Sequence, residues 1–321
     1  MHSDEVRRYV ARSVLPAMGI GGRPFTMAPP PESGTRSSLH LMRADGMPPL
    51  LLRVFDSRAQ AARNAGALRH IEELELPAPR LVFHEGWRSR LTVETWIEGT
   101  RHAALADPAA AGAAALEVAG LLARYHRVTR GAYGRPGVTA RSRLISFASA
   151  TQRAAGRMLS SLAANGWLDE AQQVSIRRRF LSWKQAISDI SEFSLAHNDA
   201  NRHNFLVAPA GDVTPVDLHR LAYEPFGEEL VNALYHFCRK DAVLGQSFLE
   251  RYFMVAGDRS RLEFERTRGF FEPLNYLKKM HRRSLSGVGP DDDKMTRWRD
   301  RVLAMESMES MGNMESKESP S

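Results

Sequence analysis

The chain has 321 residues, of which 43% are hydrophobic, 25% charged and 8% aromatic, with a formal net charge of +7. This balance is that of an ordinary globular protein and excludes collagenous, low-complexity and disulfide-scaffold classes. About 150 residues per domain gives about two domains, and the single cysteine, Cys238, has no partner for an internal disulfide, which fits a reducing compartment. Only six of the 44 basic residues are lysines, so arginine carries the positive charge. Such a charge suits a nucleotide phosphate, an acidic glycolipid or a nucleic acid, and equally a solvated surface.

The start, MHSDEVRRYVARSVLP, carries Asp4, Glu5 and several arginines and lacks the apolar core of a signal peptide. No later run approaches the roughly 18 apolar residues of a membrane span. The expected location is therefore cytoplasmic, with peripheral contact at the inner membrane as an extension. Residues 24–100 read as strand-rich, with Leu50, Leu51, Leu52, Val54 and Phe55 in one apolar run and Leu91, Val93, Trp96 and Ile97 in another. Between them, Arg58 to Leu74 is rich in Ala, Arg, Leu and Glu and lacks Pro, which predicts a helix, stopped by Pro77 and Pro79. A small sheet with one helix packed on it is expected, forming a first lobe over residues 1–99.

After Gly99 the pattern turns helical. Asp107-Pro108 is a cap followed by Pro at the first helical position, and Val118, Leu122 and Tyr125 share a helix face. Phe180, Trp183, Ile187 and Ile190 predict a second long helix, and Leu230, Leu234 and Phe237 a third. Residues 100–304 are thus expected to form a mainly helical second lobe. Met305 to Ser321 repeat Met-Glu-Ser and hold few other apolar side chains, so they are expected to form a disordered tail of net charge −3.

One short segment interrupts the helices and concentrates polar residues: His197-Asn198-Asp199-Ala200-Asn201-Arg202-His203-Asn204, then an apolar run, Ala210-Gly211, and Asp212 to Leu218. A two-residue turn at Ala210-Gly211 makes positions summing to 421 face one another and sets Asn204 opposite Asp217. An amide oxygen and a carboxylate there can share one Mg²⁺, whose other positions go to water and phosphate. Asp199, on the loop entering the hairpin, can orient an attacking hydroxyl and accept its proton. Pro209 and Pro215 each remove a ladder donor, and a one-residue slip separates the pair.

His197-x-Asp199-x4-Asn204 followed by Val216-Asp217-Leu218 resembles the catalytic segment of the aminoglycoside phosphotransferase and choline kinase family, relatives of the protein kinases. Leu121 to His126, Leu76-Pro77-Ala78-Pro79-Arg80 and TVETWIEG at 92–99 are similar to further motifs of that family, over roughly residues 20–250. Val216 to Arg220 and the helix with Glu229, Leu230, Leu234 and Tyr235 resemble the lipopolysaccharide core sugar kinases. The resemblance implies an α+β, protein-kinase-like fold of two lobes, a small antiparallel sheet and a mainly helical lobe, with ATP between them. It implies Asp199 as catalytic base, Asn204 and Asp217 as Mg²⁺ ligands and His197 as a brace for the loop. The acceptor is then a hydroxyl of a small molecule or carbohydrate, or of a membrane-associated glycolipid, with no nucleic acid expected.

On the nucleotide side, the amides of Ser33 to Ser38, including Ser37, can cap phosphates, and the adenine falls near the backbone of Glu94 to Trp96. Where the family has a strand lysine this chain has Arg53, which keeps the charge in a planar fork. Where the family has a helix glutamate it has Asn64, with Glu72 and Glu73 two turns further on. These departures support an alternative, a nucleotide-binding protein of the same fold without catalysis. Asp291-Asp292-Asp293 reads as a helix start. The basic run 177–179 reads as a solvated helix face, and the run 278–283, after Phe270, Phe271, Tyr276 and Leu277 that could line an acceptor cleft, as one that can hold an anionic acceptor or meet a membrane surface.

Overall fold

A computed structural model describes residues 3–30, 38–86, 90–137, 146–288 and 292–305. In chain order the elements are α1 (Ser3–Tyr9), a π-helical turn (Val10–Val14), α2 (Leu15–Ala17), β1 (Phe25–Ala28), β2 (Ser38–Ala44), β3 (Leu50–Val54), α3 (Arg58–Glu73), β4 (Leu81–Phe83), β5 (Leu91–Thr95) and β6 (Thr100–Arg101). They continue with α4 (Pro108–His126), β7 (Thr129–Arg130), α5 (Phe147–Ala164), α6 (Glu170–Ser182), α7 (Lys184–Ser188), β8 (Phe193–Ala196), β9 (Phe205–Val207) and β10 (Val213–Pro215). The last are β11 (Ala222–Glu224), α8 (Phe226–Phe237), α9 (Ala242–Ala256), α10 (Asp258–Ser284) and α11 (Asp293–Leu303).

The chain divides into two compact units, Met1–Val118 with Arg202–Leu221 and Ala119–Asn201 with Ala222–Ser321. The expected α+β class is present, with a small antiparallel sheet in the first unit and mainly helices in the second. The division differs from the boundary expected at residue 99. Segment 100–118 and the hairpin at 202–221 group with the first unit, because β6 pairs with β9 in the order β10-β9-β6.

The first unit is built on an antiparallel sheet in the order β1-β2-β3-β5-β4. Side chains alternate across a strand, so Leu50, Leu52 and Val54 on β3 and Leu91 and Val93 on β5 share one face. That face is buried against Val6, Val10, Val14, Leu15 and Ile20. The sequence reading assigned no element before residue 24, although Val6, Val10 and Val14 recur at the i, i+4 spacing of a helix face. The other face carries Arg53, Thr92 and Glu94, all buried, toward α3. The α3 helix occupies the expected span and starts with a capping box between Ser57 and Gln60.

In the second unit, the expected long helix through Phe180 to Ile190 is broken. α6 ends at Ser182 and α7 starts at Lys184, with fully buried Trp183 between them. The pattern gave the buried set correctly, since all four apolar residues are in the core, but a 3.6-residue period does not register a break that keeps the same face inward. Asp107 caps α4 as expected, accepting from the Ala109 and Ala110 N–H groups at 3.0 and 3.2 Å. Met305, expected to open a disordered tail, is 4% exposed, and its carbonyl accepts from Arg179 Nη1 at 2.7 Å. Arg179 also donates to the Leu303 carbonyl, so one arginine of the 177–179 run secures the end of α11 rather than facing solvent. Residues 306–321 lie outside the described residues. Among the described residues no helix is long and apolar enough to cross a membrane.

Gly99 fixes how β6 joins the hairpin: a Cβ there would sit 2.8 Å from the Val207 carbonyl oxygen on β9. Backbone cannot yield as a side-chain end can, so Gly99→Ala is expected to lower stability by about 1–3 kcal/mol through overpacking. Urea denaturation checks this, with Gly112→Ala inside α4, which meets no atom within 4 Å, as a control expected to gain up to about 1 kcal/mol.

Candidate active site

In the first unit, antiparallel register makes Arg53 and Thr92 direct partners, with Glu94 two residues along on the same face. Arg53 Nε lies 3.5 Å from Glu94 Oε1, and the same oxygen accepts hydrogen bonds from Asn64 Nδ2 and Thr92 Oγ1, both at 2.7 Å. Arg53, Asn64 and Glu94 are 5%, 1% and 2% exposed, so this is a buried charge pair with its carboxylate further satisfied by two neutral donors. Arg53 Nη1 then donates to Asp217 Oδ1 at 3.2 Å, and His219 Nδ1 is 2.7 Å from that oxygen.

Glu94 is therefore the carboxylate that sequence reading sought on α3. Glu73 instead faces His70 at 3.6 Å, with its side chain 73% exposed. The missed signal is Thr92 and Glu94 at alternate positions of a buried strand, two polar groups on one face that require partners. Glu94 was assigned only for its backbone. That backbone is engaged: Glu94 lies in register with both Leu51 and Leu81, and the Thr95 and Trp96 N–H groups donate to the Arg80 and Pro49 carbonyls at 2.9 and 3.2 Å. Trp96 is half-buried, and Ser37 lies outside the described residues.

The hairpin corrects the expected register. Its ladder pairs Val213 with Val207, Thr214 with Leu206 and Pro215 with Phe205, so facing positions sum to 420. The turn is a three-residue loop, Pro209-Ala210-Gly211, closed by Ala208 N–H to Asp212 carbonyl at 2.9 Å, with Gly211 at φ +94°. Left-handed glycine at the third position is what such a loop requires. Asn204 consequently pairs with Val216, whose N–H donates to its carbonyl at 2.8 Å, and not with Asp217. Asp217 follows one residue later in the left-handed conformation, φ 65° and ψ 53°, beyond the ladder. Asn204 is 7% exposed, whereas the Asp217 side chain is 32% exposed.

In the second unit, the 197–201 loop hangs on one face of α8. Glu229 accepts from the His197 N–H through Oε2 at 2.8 Å and from the Asn198 N–H through Oε1 at 2.6 Å. Three residues along that helix, Asn232 Nδ2 donates to the Ala200 carbonyl at 3.1 Å. Asp199 thus sits between two anchored residues, itself half-buried, with Asn201 Nδ2 donating to its Oδ1 at 3.1 Å. Asn198 takes φ 61°, a conformation Asn tolerates and the anchors hold. Glu229, 3% exposed, also contacts His126 Nε2 at 3.0 Å, and His126 Nδ1 meets the Tyr252 hydroxyl at 2.8 Å. Burial alone raises the Glu229 pKa, but the hydrogen bond and charge of His126, with the charge and N–H of His197, outweigh it and hold the carboxyl below its ordinary value. From sequence Glu229 belongs only to a helix motif; its role depends on the 197–201 loop lying on the α8 face it shares with Asn232. Asp292 caps α11 as the helix-start reading expected, while Asp291 lies outside the described residues.

Residues 29–264 match the phosphotransferase enzyme family, and the chain belongs to that family. It is a phosphotransferase of the kinase class. The fold is shared with an ADP-bound aminoglycoside phosphotransferase, APH(2'')-Ib, at a TM-score of 0.62 and 14% identity, covering 95% of this chain and 98% of that one. It is shared too with the choline kinase of Cryptosporidium parvum, TM-score 0.57, 13% identity, 90% of each chain. The GDP complex of aminoglycoside 2'-phosphotransferase-IIIa gives a TM-score of 0.60 at 12% identity, covering 94% and 99%. No curated protein shows a significant sequence match.

Two substitutions probe these networks. Glu229→Ala is expected to cost about 3–5 kcal/mol by unpairing a buried ionic group. Because the folded-state pKa is depressed, this stability is present above the ordinary value of 4.5 and is lost as pH falls through the folded pKa, so urea midpoints of the two proteins should converge in acid. Asn64→Asp adds a third carboxyl to Glu94 and Asp217 around one arginine, which raises one pKa above its unfolded value. Its deficit relative to the parent should be largest at pH 8 and shrink as the pH falls and that carboxyl protonates.

Proposed function

We propose that the protein transfers the γ-phosphoryl group of ATP to a hydroxyl of a small molecule or sugar. Asp199 accepts the hydroxyl proton as the acceptor oxygen bonds to the γ-phosphorus and the bond to the β,γ-bridging oxygen breaks, releasing ADP. Arg53 meets the phosphates, and the segment Glu94 to Trp96 meets the base. Asn204 and Asp217 are oxygen donors of the kind Mg²⁺ takes, an amide and a half-exposed carboxylate; the ion, when bound, neutralises phosphate charge. The observation that carries the reading is the Glu229- and Asn232-anchored loop that presents Asp199 with few degrees of freedom, since phosphoryl transfer depends on positioning.

The alternative of a non-catalytic nucleotide binder drew on Arg53 and Asn64. Glu94 answers that point, because it supplies Arg53 with a buried carboxylate by another route and Asn64 serves that carboxylate as donor. ATP rather than GTP is the nucleotide assigned here, and a nucleotide competition decides between them.

With ATP and Mg²⁺ at 100 times the dissociation constant, binding is expected to add about 2.7 kcal/mol of stability. Asp199→Asn should keep that stabilisation and lose transfer by about 10²–10⁴-fold. Wild-type turnover by the variant, or no nucleotide-dependent shift in the parent, overturns the reading. Asp217→Ala should remove the magnesium-dependent part of the shift.

A further inference from the structure

The basic run 278–283 is not uniform. Lys278 pairs with Glu228, Arg283 pairs with Asp292 at 2.6 Å, and Met280 is fully buried. Lys279 and Arg282, one helical turn apart on α10, have no carboxylate partner among the described residues. Lys279 Nζ donates to Asn232 Oδ1 at 2.8 Å and lies 3.3 Å from His236 Nε2, so it stands on the α8 residues that anchor the Asp199 loop. It also lies 4.2 Å from the centre of the Tyr235 ring, over which Arg239 stands at 5.0 Å. Trp298, 6.2 Å from Tyr235, carries Lys294 at 5.0 Å. Arg239 likewise has no carboxylate within ion-pair distance among the described residues, and Lys294 feels Asp292 only at longer range, beside Arg283 and Arg239.

The charges that act on Lys279 are thus Arg282 on α10, Lys294 on α11 and Arg239 in the turn after α8, opposed by Asp199. Like charges gathered on an aromatic floor, with one carboxylate among them, raise the energy of the unliganded protein and lower that of a bound anion. Burial first, then Arg282, pushes the Lys279 pKa down to about 7. Burial, then Lys279 and Arg239, pushes that of His236 to about 3, so His236 is neutral and acts as acceptor toward Lys279. A cationic acceptor, such as the aminoglycosides and choline of the structural neighbours, meets net repulsion here.

We propose that the acceptor is an anion: a hydroxyl compound, of sugar or polyol type, whose phosphate or carboxylate group is held by Lys279, Arg239 and Arg282 beside Asp199. The proposal rests on the reading of Asp199 as the base of the transfer. Half-buried Tyr235 gives the carbon skeleton an apolar surface, and bound anion draws a proton onto Lys279, so affinity falls as pH rises above 7. Asp199, Arg239, Arg282 and Lys294 are the charges that set this dependence, while Arg283 and Asp292 neutralise each other.

The experiment uses the full chain in two arms. In the first, calorimetry measures binding of glucose 6-phosphate, glucose and glucosamine; in the second, labelled ATP is offered with each of them and with phosphatidylinositol in phosphatidylcholine vesicles. Glucose 6-phosphate should bind preferentially and weaken with salt. It should weaken about tenfold further in Lys279→Gln and in the exposed Arg282→Gln, with recovery in Lys279→Arg. Asp199→Asn should tighten it, because a competing negative charge is gone, although transfer is lost. Preference for glucosamine, unchanged anion binding in both glutamine variants, or a rise in the KM for ATP instead of the acceptor overturns the proposal. Label passing to the vesicle lipid but not to glucose 6-phosphate identifies a lipid headgroup as the source of the anion, and the reverse a free sugar phosphate. If no acceptor is labelled, the phosphotransferase reading fails, and the calorimetric arm still decides for or against the anion site.

Discussion

The second unit depends on one carboxylate. Glu229 is buried on α8 and receives two consecutive main-chain N–H groups, from His197 and Asn198, as well as a contact from His126. A buried carboxylate without donors would be neutralised or expelled, so the loop, the α8 face and the end of α4 must come together for any of them to be stable. This mutual requirement turns a polar, irregular segment into a rigid one. Asp199 lies within that rigid segment, its half-buried carboxylate accepting from Asn201 Nδ2.

The first unit solves a related problem with different residues. A guanidinium inside a small sheet needs a counter-charge, and the family pattern that places that carboxylate on the neighbouring helix is absent here. Glu94 supplies it from the next strand, and Asn64, where a helix carboxylate would have been, donates to Glu94 rather than competing for Arg53. Arg53 thus faces two carboxylates, buried Glu94 and the partly exposed Asp217, and a third at position 64 would be left without a counterion. Arg53 keeps donors to spare, and uses one on Asp217.

Membership of the phosphotransferase family fixes the class of reaction more firmly than the acceptor. Identities of 12–14% with the solved structures carry the fold, while the side chains around Asp199 are this chain's own. Those side chains are mostly basic, and their neighbours on the helix surface are already paired with Glu228 and Asp292.

The sequence by itself determined the elements whose signals are local: α3 with its Ser57 cap, α4 with Asp107-Pro108, the apolar strands and the polar segment at 197–217. Spacing of motif residues also sufficed for the family, since it follows from chain order alone. The hairpin register was not determined, because a two-residue and a three-residue turn use the same Pro, Ala and Gly, and one residue of difference moves Asn204 from Asp217 to Val216. Nor was the partner of Arg53, the role of Glu229 or the division of the 278–283 run into paired and unpaired cations. Each of these joins residues about 10 to 160 positions apart, and which charges meet is set by sheet register and helix packing rather than by any local preference of the chain.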